Sequence, residues 1–126
     1  FAGFSAYYGR DYNAAAKAYE AMEAKFPDQP SATYWRGRTA AAIDNEGKEG
    51  TAVPFYTKWM ELNIQGYERK PNDLMQAYQY LSLYYYNKSD KDNTIKYVEK
   101  IESIEPGNAL AKQIREALKS GGNKAK

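Results

Sequence analysis

The chain has 126 residues, of which 43% are hydrophobic and 27% charged, and its formal net charge is +2, as is common for one globular domain. It contains neither cysteine nor histidine, which excludes disulfides, thiolate and histidine metal sites, and the Ser-His-Asp and Cys-His catalytic sets. Its lysines and arginines are scattered among acids and no apolar run approaches the ~20 residues of a membrane span, so we expect no nucleic-acid partner, no membrane span, no metal, no cofactor and no catalysis.

The start of the chain predicts two helical segments. A helix is expected between Asp11 and Pro27, because alanines and aromatic residues recur there at helical spacing and proline ends the run. The preceding residues 1–8 are predicted to be the remainder of another helix whose first turn is missing. That loss would leave Phe1 and Phe4 poorly covered.

A second helix pair is predicted next. Ser31 is placed to cap a helix that runs to about Asp44, and the two glycines of NEGKEG then favour a bend. Thr51 can cap the helix that follows. Because Ile64 and Tyr67 continue the apolar pattern of this helix, we expect it to extend for one or two further turns.

The stretch 76–108 predicts a third pair most clearly. Two apolar faces at helical spacing are separated by a polar turn, and Pro106 with Gly107 ends the second helix. The faces consist of Ala77, Tyr78, Leu81, Ser82 and Tyr85, and of Thr94, Tyr97, Val98, Ile101 and Ile104.

A last helix is predicted after Asn108, which can act as its N-cap. Its apolar face would pack and its polar face would be solvated, as in the terminal helix of a repeat protein. The apolar face consists of Leu110, Ile114, Ala117 and Leu118, and the polar face of Lys112, Gln113, Arg115, Glu116 and Lys119.

The third pair resembles the tetratricopeptide repeat (TPR), a helix-pair motif with a period of about 34 residues. The matching positions are Tyr78, Leu81, Ser82, Tyr85, Thr94, Val98, Ile101 and Pro106. Short side chains such as Ser82 and Thr94 allow two helices to approach closely. The segment from Asp11 to Pro27 resembles the second half of another such repeat.

The resemblance implies an all-α TPR-like solenoid of antiparallel helix pairs with a C-terminal capping helix, in one domain. Its parts would be a partial repeat (1–29), two repeats (30–71 and 72–107), a capping helix (108–119) and a disordered tail (120–126). The runs WRGRTAAAID, AVPFYTKWMEL and YLSLYYY are also similar to a group of TPR proteins common in Bacteroidetes. That similarity implies a bacterial protein that is exported, for example to the periplasm.

TPR proteins usually bind a protein or peptide in a concave groove lined by the first helix of each pair, so the resemblance implies such a partner here. The candidate contacts are Tyr34, Trp35, Arg38, Gln76, Gln79, Tyr80, Leu83, Tyr86 and Asn87. Tyrosine and tryptophan offer large contact area, and glutamine, asparagine and arginine can bond to a peptide backbone. The same spacing also fits aromatic residues that pack against a neighbouring helix, and both interpretations stay open.

Two other functions fit the sequence. The chain could serve as a structural cap of a longer superhelix, or self-associate through the end near Phe1 and Phe4. Alternatively, the aromatic groove could stack on sugar rings. The carboxylate clamp of chaperone-binding TPR proteins is not expected, because Phe4, Trp35, Gln76 and Tyr80 fill its positions.

Overall fold

The computed structural model describes residues 2–121, and within them it contains seven α-helices and no strand. The helices are α1 (Ala2–Tyr8), α2 (Tyr12–Lys25), α3 (Pro30–Ile43), α4 (Val53–Glu61), α5 (Pro71–Asn87), α6 (Lys91–Ile104) and α7 (Ala109–Lys119). The predicted all-α class is therefore confirmed for this part of the chain. The finer assignment to a TPR-type solenoid stays a prediction.

The helices divide into two compact units. Unit 1 comprises the chain up to Asn45 and the segment Gly50–Tyr67, and it contains α1 to α4. Unit 2 comprises the segment Glu46–Glu49 and the chain from Glu68 onwards, and it contains α5 to α7. In unit 1, α1 packs on α2, α2 on α3 and α3 on α4. In unit 2, α5 packs on α6 and α6 on α7. Within each unit, helices that follow one another in the chain are thus neighbours, as the predicted pairing requires.

The core of unit 1 is largely aromatic. Tyr19, Tyr56 and Trp59 are at most 1% exposed, and the ring of Tyr34 lies 4.8 Å from that of Trp59. Tyr19 stacks on Trp35 at 5.8 Å between ring centroids. Large planar side chains fill the space between helices, so the high tyrosine content of this unit is mainly a packing feature.

The core of unit 2 is mainly aliphatic. Met75 of α5, Val98 and Ile101 of α6, and Ala111 and Ile114 of α7 form one buried cluster. The small residues predicted at close helix contacts, serine on α5 and threonine on α6, are fully buried. The apolar faces predicted for the last three helices are therefore confirmed.

Three of the helix starts have a side-chain cap, and the cap at Asn108 is the one that was predicted. The carboxylates of Asp11 and Asp90 accept hydrogen bonds from Ala14 N and Asn93 N, both at 3.2 Å. The amide oxygen of Asn108 accepts from the backbone N of the third residue of α7 at 2.9 Å. Each bond satisfies a donor that has no partner inside the helix.

The predicted caps at Ser31 and Thr51 are wrong. Helix α3 begins one residue before Ser31, at Pro30, because proline has a fixed φ and no N–H to leave unpaired, which suits the first helical position. Helix α4 has Ala52 as its N-cap, without a side-chain hydrogen bond. A turn in which Val53 N bonds to the carbonyl of Gly50 leads into α4 instead.

The predicted extension of α4 through Ile64 and Tyr67 is also wrong. The helix ends at Glu61, and Leu62 has an extended backbone with ψ of 126°. The indole Nε1 of Trp59 donates a hydrogen bond to the Tyr67 hydroxyl at 2.9 Å. The segment after α4 therefore returns to the core of unit 1 as a loop and not as further helical turns.

Gly37 of α3 lies directly against the Tyr56 ring of α4. A Cβ atom at this position would lie 2.7 Å from ring atoms of Tyr56, which is buried and has little room to shift. Glycine normally costs a helix about 1 kcal/mol relative to alanine, so its use here reflects the space that the Tyr56 ring needs.

We expect Gly37→Ala to lower the free energy of unfolding by about 1–2 kcal/mol, because the steric cost exceeds the gain in helix propensity. Urea unfolding followed by circular dichroism measures the change. Adding Tyr56→Leu to Gly37→Ala should cost less than the two separate losses combined, since the smaller side chain relieves the clash. A stabilised Gly37→Ala protein would contradict this account of the contact.

Candidate functional site

Three of the predicted contacts come together in unit 1, where α1 and α3 form an aromatic patch. We define the aromatic patch as Phe4, Tyr7, Tyr34, Trp35 and Arg38. The ring of Trp35 lies 5.1 Å from that of Phe4 and 5.2 Å from that of Tyr7, both edge to face. The guanidinium of Arg38 lies over Trp35 at 4.8 Å and over Tyr7 at 5.3 Å. One cation is therefore held against several aromatic faces.

Tyr34 positions Arg38 within the aromatic patch. The Nη1 of Arg38 donates a hydrogen bond to the Tyr34 hydroxyl at 3.1 Å. Burial alone would lower the pKa of Arg38, but the interactions with the Tyr34 and Tyr7 hydroxyls outweigh it and raise the pKa. Tyr34 is only 3% exposed. Its contribution to a binding surface is to fix the arginine, which stays charged at every working pH.

Parts of this surface are open to solvent. Phe4 is 43% exposed, as predicted, and Tyr8 on the same helix is 68% exposed. Phe1 lies outside the described residues. Tyr7, Trp35 and Arg38 are half-buried. A surface of aromatic faces with a fixed cation can pack apolar groups and accept a carboxylate or backbone carbonyl.

In unit 2, two more predicted contacts line a hollow between α5 and α7. Its volume is about 190 Å³. The lining residues are Leu83, Tyr86, Leu110, Gln113, Ile114 and Ala117. Both Leu83 and Tyr86 are half-buried, so each presents part of its side chain to the hollow while the rest packs on the core. We call this site the α5/α7 hollow.

The two units repeat the same local structure. The N-caps Asp11 and Asp90 are 79 positions apart, and each side chain bonds to the third residue after it. An ion pair then recurs at the same interval: Glu23 with Arg36 at 2.6 Å in unit 1, and Glu102 with Arg115 at 2.6 Å in unit 2. Helices α1 to α3 therefore correspond to the end of α5, to α6 and to α7.

This correspondence places the aromatic patch and the α5/α7 hollow on the same face of each unit. The matched positions are Phe4 with Leu83, Tyr7 with Tyr86, Tyr34 with Gln113, Trp35 with Ile114, and Arg38 with Ala117. In unit 1, large side chains and a cation fill the face. In unit 2, smaller side chains occupy the α7 positions and leave the hollow open.

The other predicted contacts have different surroundings. Tyr80 is 4% exposed, so a contact between its ring and a ligand would require it to become uncovered. Gln76 and Gln79 are half-buried on α5. The amide Nδ2 of Asn87 donates to the carbonyl of Glu46 at 2.8 Å, which ties the segment Glu46–Glu49 to the end of α5.

The structure adds residues that the sequence analysis did not place among the candidate contacts. Tyr7 completes the aromatic patch, and Gln113 and Ile114 complete the α5/α7 hollow. Tyr7 could have been found from the 79-residue interval between the two repeats, because Tyr7 is the counterpart of Tyr86 at that interval. For α7, the amphipathic pattern showed that one face packs, without indicating that its edge remains accessible.

Comparison of the chain with protein-family models, curated proteins and solved structures gives no match. The TPR assignment therefore stays a prediction based on the residues quoted above. Within residues 2–121, no group of three or more acidic, cysteine or histidine side chains is arranged to hold a metal. None of the helices in that range combines the length and the apolar character needed to cross a bilayer.

Proposed function

We propose that this chain is a non-catalytic TPR-like interaction module that binds an extended peptide or protein segment. The observation that carries the proposal is the α5/α7 hollow, where Leu83 and Tyr86 stand half-exposed beside α7. Its volume of about 190 Å³ is below the roughly 300–1,000 Å³ of small-molecule sites. A hollow of this size suits one apolar side chain of a partner.

The chemistry of the lining favours a peptide. Leu83, Ile114 and part of Tyr86 offer apolar contact, while Gln113 brings an amide that can bond to a backbone N–H or carbonyl. On unit 1, the corresponding face offers aromatic rings and the cation of Arg38. Each unit thus offers an apolar surface with a small number of polar groups, as peptide-binding surfaces do.

Binding can be tested with peptides selected from a random library displayed on phage, using the purified chain as bait. We expect Tyr86→Ala to weaken binding of a selected peptide about tenfold or more, because a central aromatic contact commonly contributes more than 1 kcal/mol. Fluorescence anisotropy gives the dissociation constants. Circular dichroism establishes that the variant keeps its helices.

Phe26→Ala is the matched control for this experiment. Phe26 is an aromatic residue that is 48% exposed, and it belongs neither to the aromatic patch nor to the α5/α7 hollow. Its removal should leave the affinity within about twofold of the original value. Two results would count against the proposed site: an equal loss of affinity in Tyr86→Ala and Phe26→Ala, or a selected peptide whose affinity does not change in Tyr86→Ala.

Self-association is the second candidate function, and the exposure of Phe4 and Tyr8 favours it. These neighbouring aromatic residues on α1 are 43% and 68% exposed. Multi-angle light scattering over a range of concentrations distinguishes the two functions. A dimer that dissociates in a Phe4→Ser/Tyr8→Ser variant would support self-association, whereas a concentration-independent monomer would leave peptide binding as the better account.

A further inference from the structure

A second hollow lies between α6 and α7, on a different side of α7 from the α5/α7 hollow. Its volume is about 400 Å³. The lining residues are Lys91, Ile95, Lys112, Arg115, Glu116, Leu118 and Lys119. Ile95 and Leu118 are half-buried and form an apolar floor, while the charged residues around them are exposed. We call this site the α6/α7 groove.

Unit 1 shows what fits a groove of this kind. At the interval that relates the two repeats, the counterparts of Ile95, Arg115, Leu118 and Lys119 are Ala16, Arg36, Thr39 and Ala40. These four residues form a hollow of about 170 Å³ together with Ile43 of α3, with Thr51, and with Phe55 of α4. In unit 1, therefore, the corresponding groove is partly filled by a helix.

Helix α4 is held in that groove by one aromatic and one charged contact. The guanidinium of Arg36 lies over the ring of Phe55 at 4.5 Å. The ammonium of Lys58 donates to Glu23 of α2 at 3.1 Å. An incoming helix thus supplies a ring to the arginine and a cation to the acid. Within residues 2–121, no helix takes this place beside α6 and α7.

The α6/α7 groove has more positive charge than the corresponding groove of unit 1. Lys112 stands where unit 1 has Thr33, and Lys119 where it has Ala40. The acid at the Glu23 position, Glu102, is already bound through both oxygens by Arg115, at 2.6 and 2.8 Å.

Three cations around this groove are available to a partner. Among the described residues, Lys91, Lys112 and Lys119 make no ion pair and no side-chain hydrogen bond. An incoming helix would therefore meet three cations that have no such partner within residues 2–121, and it would need to supply acids.

Glu116 indicates how closely such a helix can approach. It stands at the position of Gly37, where the Tyr56 ring of α4 rests against the bare backbone of α3. A side chain at this position keeps an incoming helix further from α7 than α4 is from α3. The contact would then depend on side chains at the rim, which suits reversible binding to a separate molecule.

We propose that the α6/α7 groove binds an acidic amphipathic helix of a partner protein, in the place that α4 takes against α2 and α3. Apolar side chains of that helix cover Ile95 and Leu118, and its acids pair with Lys112 and Lys119. The groove uses residues 112, 115, 116, 118 and 119 of α7, whereas the α5/α7 hollow uses 110, 113, 114 and 117. The two surfaces can therefore be tested separately.

The probe is a labelled peptide with the sequence of residues 51–63 carrying Thr51→Glu and Lys58→Glu. It retains the aromatic residue at the Phe55 position and places acids where the groove supplies lysines. We expect saturable binding to the intact chain by fluorescence anisotropy, with the unsubstituted peptide binding about tenfold more weakly. Lys112→Glu/Lys119→Glu in the protein should weaken binding of the acidic probe at least tenfold.

The matched control is Lys17→Glu/Lys25→Glu, which changes the net charge equally on exposed positions of α2. It should leave the affinity within about twofold, since long-range charge alone contributes little at physiological salt. A second variant, Ile95→Ser, keeps every charge and should weaken binding about fivefold by removing apolar contact.

Four results would overturn the proposal. They are an acidic probe that shows no saturable binding up to about 1 mM, equal losses in the groove and control variants, a homodimer that dissociates in the groove variant, and anionic vesicles that bind the chain through the same lysines. The third result would make a second copy the occupant, and the fourth a lipid surface. Tyr86→Ala should leave probe binding unchanged, which separates this groove from the α5/α7 hollow.

Discussion

Replacing Trp59 with alanine is expected to lower the free energy of unfolding by about 3–5 kcal/mol, the largest loss that we expect from a single substitution in this chain. Trp59 is fully buried in unit 1, with its ring 4.8 Å from that of Tyr34. Its indole N–H also binds the Tyr67 hydroxyl at 2.9 Å. Alanine would leave a cavity and free the loop that follows α4.

The effect should extend to the aromatic patch, because Tyr34 packs on Trp59 and also holds Arg38. Trp59→Phe is the informative control, since it keeps an aromatic ring in the core while it removes the bond to Tyr67 and part of the indole volume. We expect this variant to lose about 1–2 kcal/mol. Urea unfolding monitored by circular dichroism measures both. A loss below about 1 kcal/mol in Trp59→Ala would show that this core tolerates a cavity there.

The helix pairs were predictable because their signals are local. Asp11 and Asn108 cap helices through side chains that bond only three residues away. The apolar faces of α5 to α7 follow a period that any amphipathic helix must show when it packs on one side. Neither signal requires knowledge of the rest of the fold.

The end of α4 was not predictable by the same means, because a distant contact decides it. Ile64 and Tyr67 continue a helical pattern in sequence, but the hydrogen bond from Trp59 to Tyr67 joins them to the core through a loop. The start of α3 shows a related limit. Pro30 and Ser31 are both typical of helix starts, and α3 begins with Pro30 as its first residue.

The candidate contacts were only partly predictable. Helical spacing placed Leu83 and Tyr86 on one face of α5, and the structure brings both to the α5/α7 hollow. Spacing alone could not show that Tyr80, one turn earlier, is covered. Coverage depends on which helix faces a residue, and a single sequence does not contain that information.

The repeated ion pair shows how one spacing can take two structural roles. In unit 1, Glu23 receives hydrogen bonds from Thr33 at 2.6 Å, Arg36 at 2.6 Å and Lys58 at 3.1 Å, so it links three helices. In unit 2, the equivalent acid, Glu102, accepts side-chain hydrogen bonds only from Arg115 among residues 2–121. In unit 1, the Glu23–Arg36 pair therefore helps to hold a further helix, α4. In unit 2, the Glu102–Arg115 pair remains accessible because no helix among the described residues takes the place of α4 beside it.

Replacing Glu23 with alanine is expected to lower the free energy of unfolding by about 2–4 kcal/mol. The carboxylate side chain is 12% exposed, and its removal would leave Thr33, Arg36 and Lys58 without their shared acceptor. Urea unfolding at neutral pH measures the loss. Glu23→Gln should lose less, because its amide oxygen can still accept one or two of these bonds.

The stability that Glu23 provides should depend on pH. Burial alone would raise the pKa of its carboxyl, but the hydrogen bonds from Thr33, Arg36 and Lys58 outweigh it and lower the pKa to about 2, from 4.5. Since the folded state has the lower pKa, the contribution is complete above about pH 4.5 and is lost as the pH falls towards 2. We expect it to reach at most about 3 kcal/mol.

Glu102→Gln is the matched control, because Glu102 is the repeat counterpart of Glu23. The hydrogen bonds from Arg115 also lower the pKa of Glu102, so the sign of its pH dependence is the same. Its pair with Arg115 lies at the surface, however, and should contribute less than about 1 kcal/mol. Between pH 5 and pH 2 the free energy of unfolding of the original protein should decrease. Glu23→Gln should therefore reduce this decrease more than Glu102→Gln does. If both variants reduced the decrease equally, the hydrogen bond from Lys58 of α4 to Glu23 would add no stability beyond that of the Glu23–Arg36 ion pair.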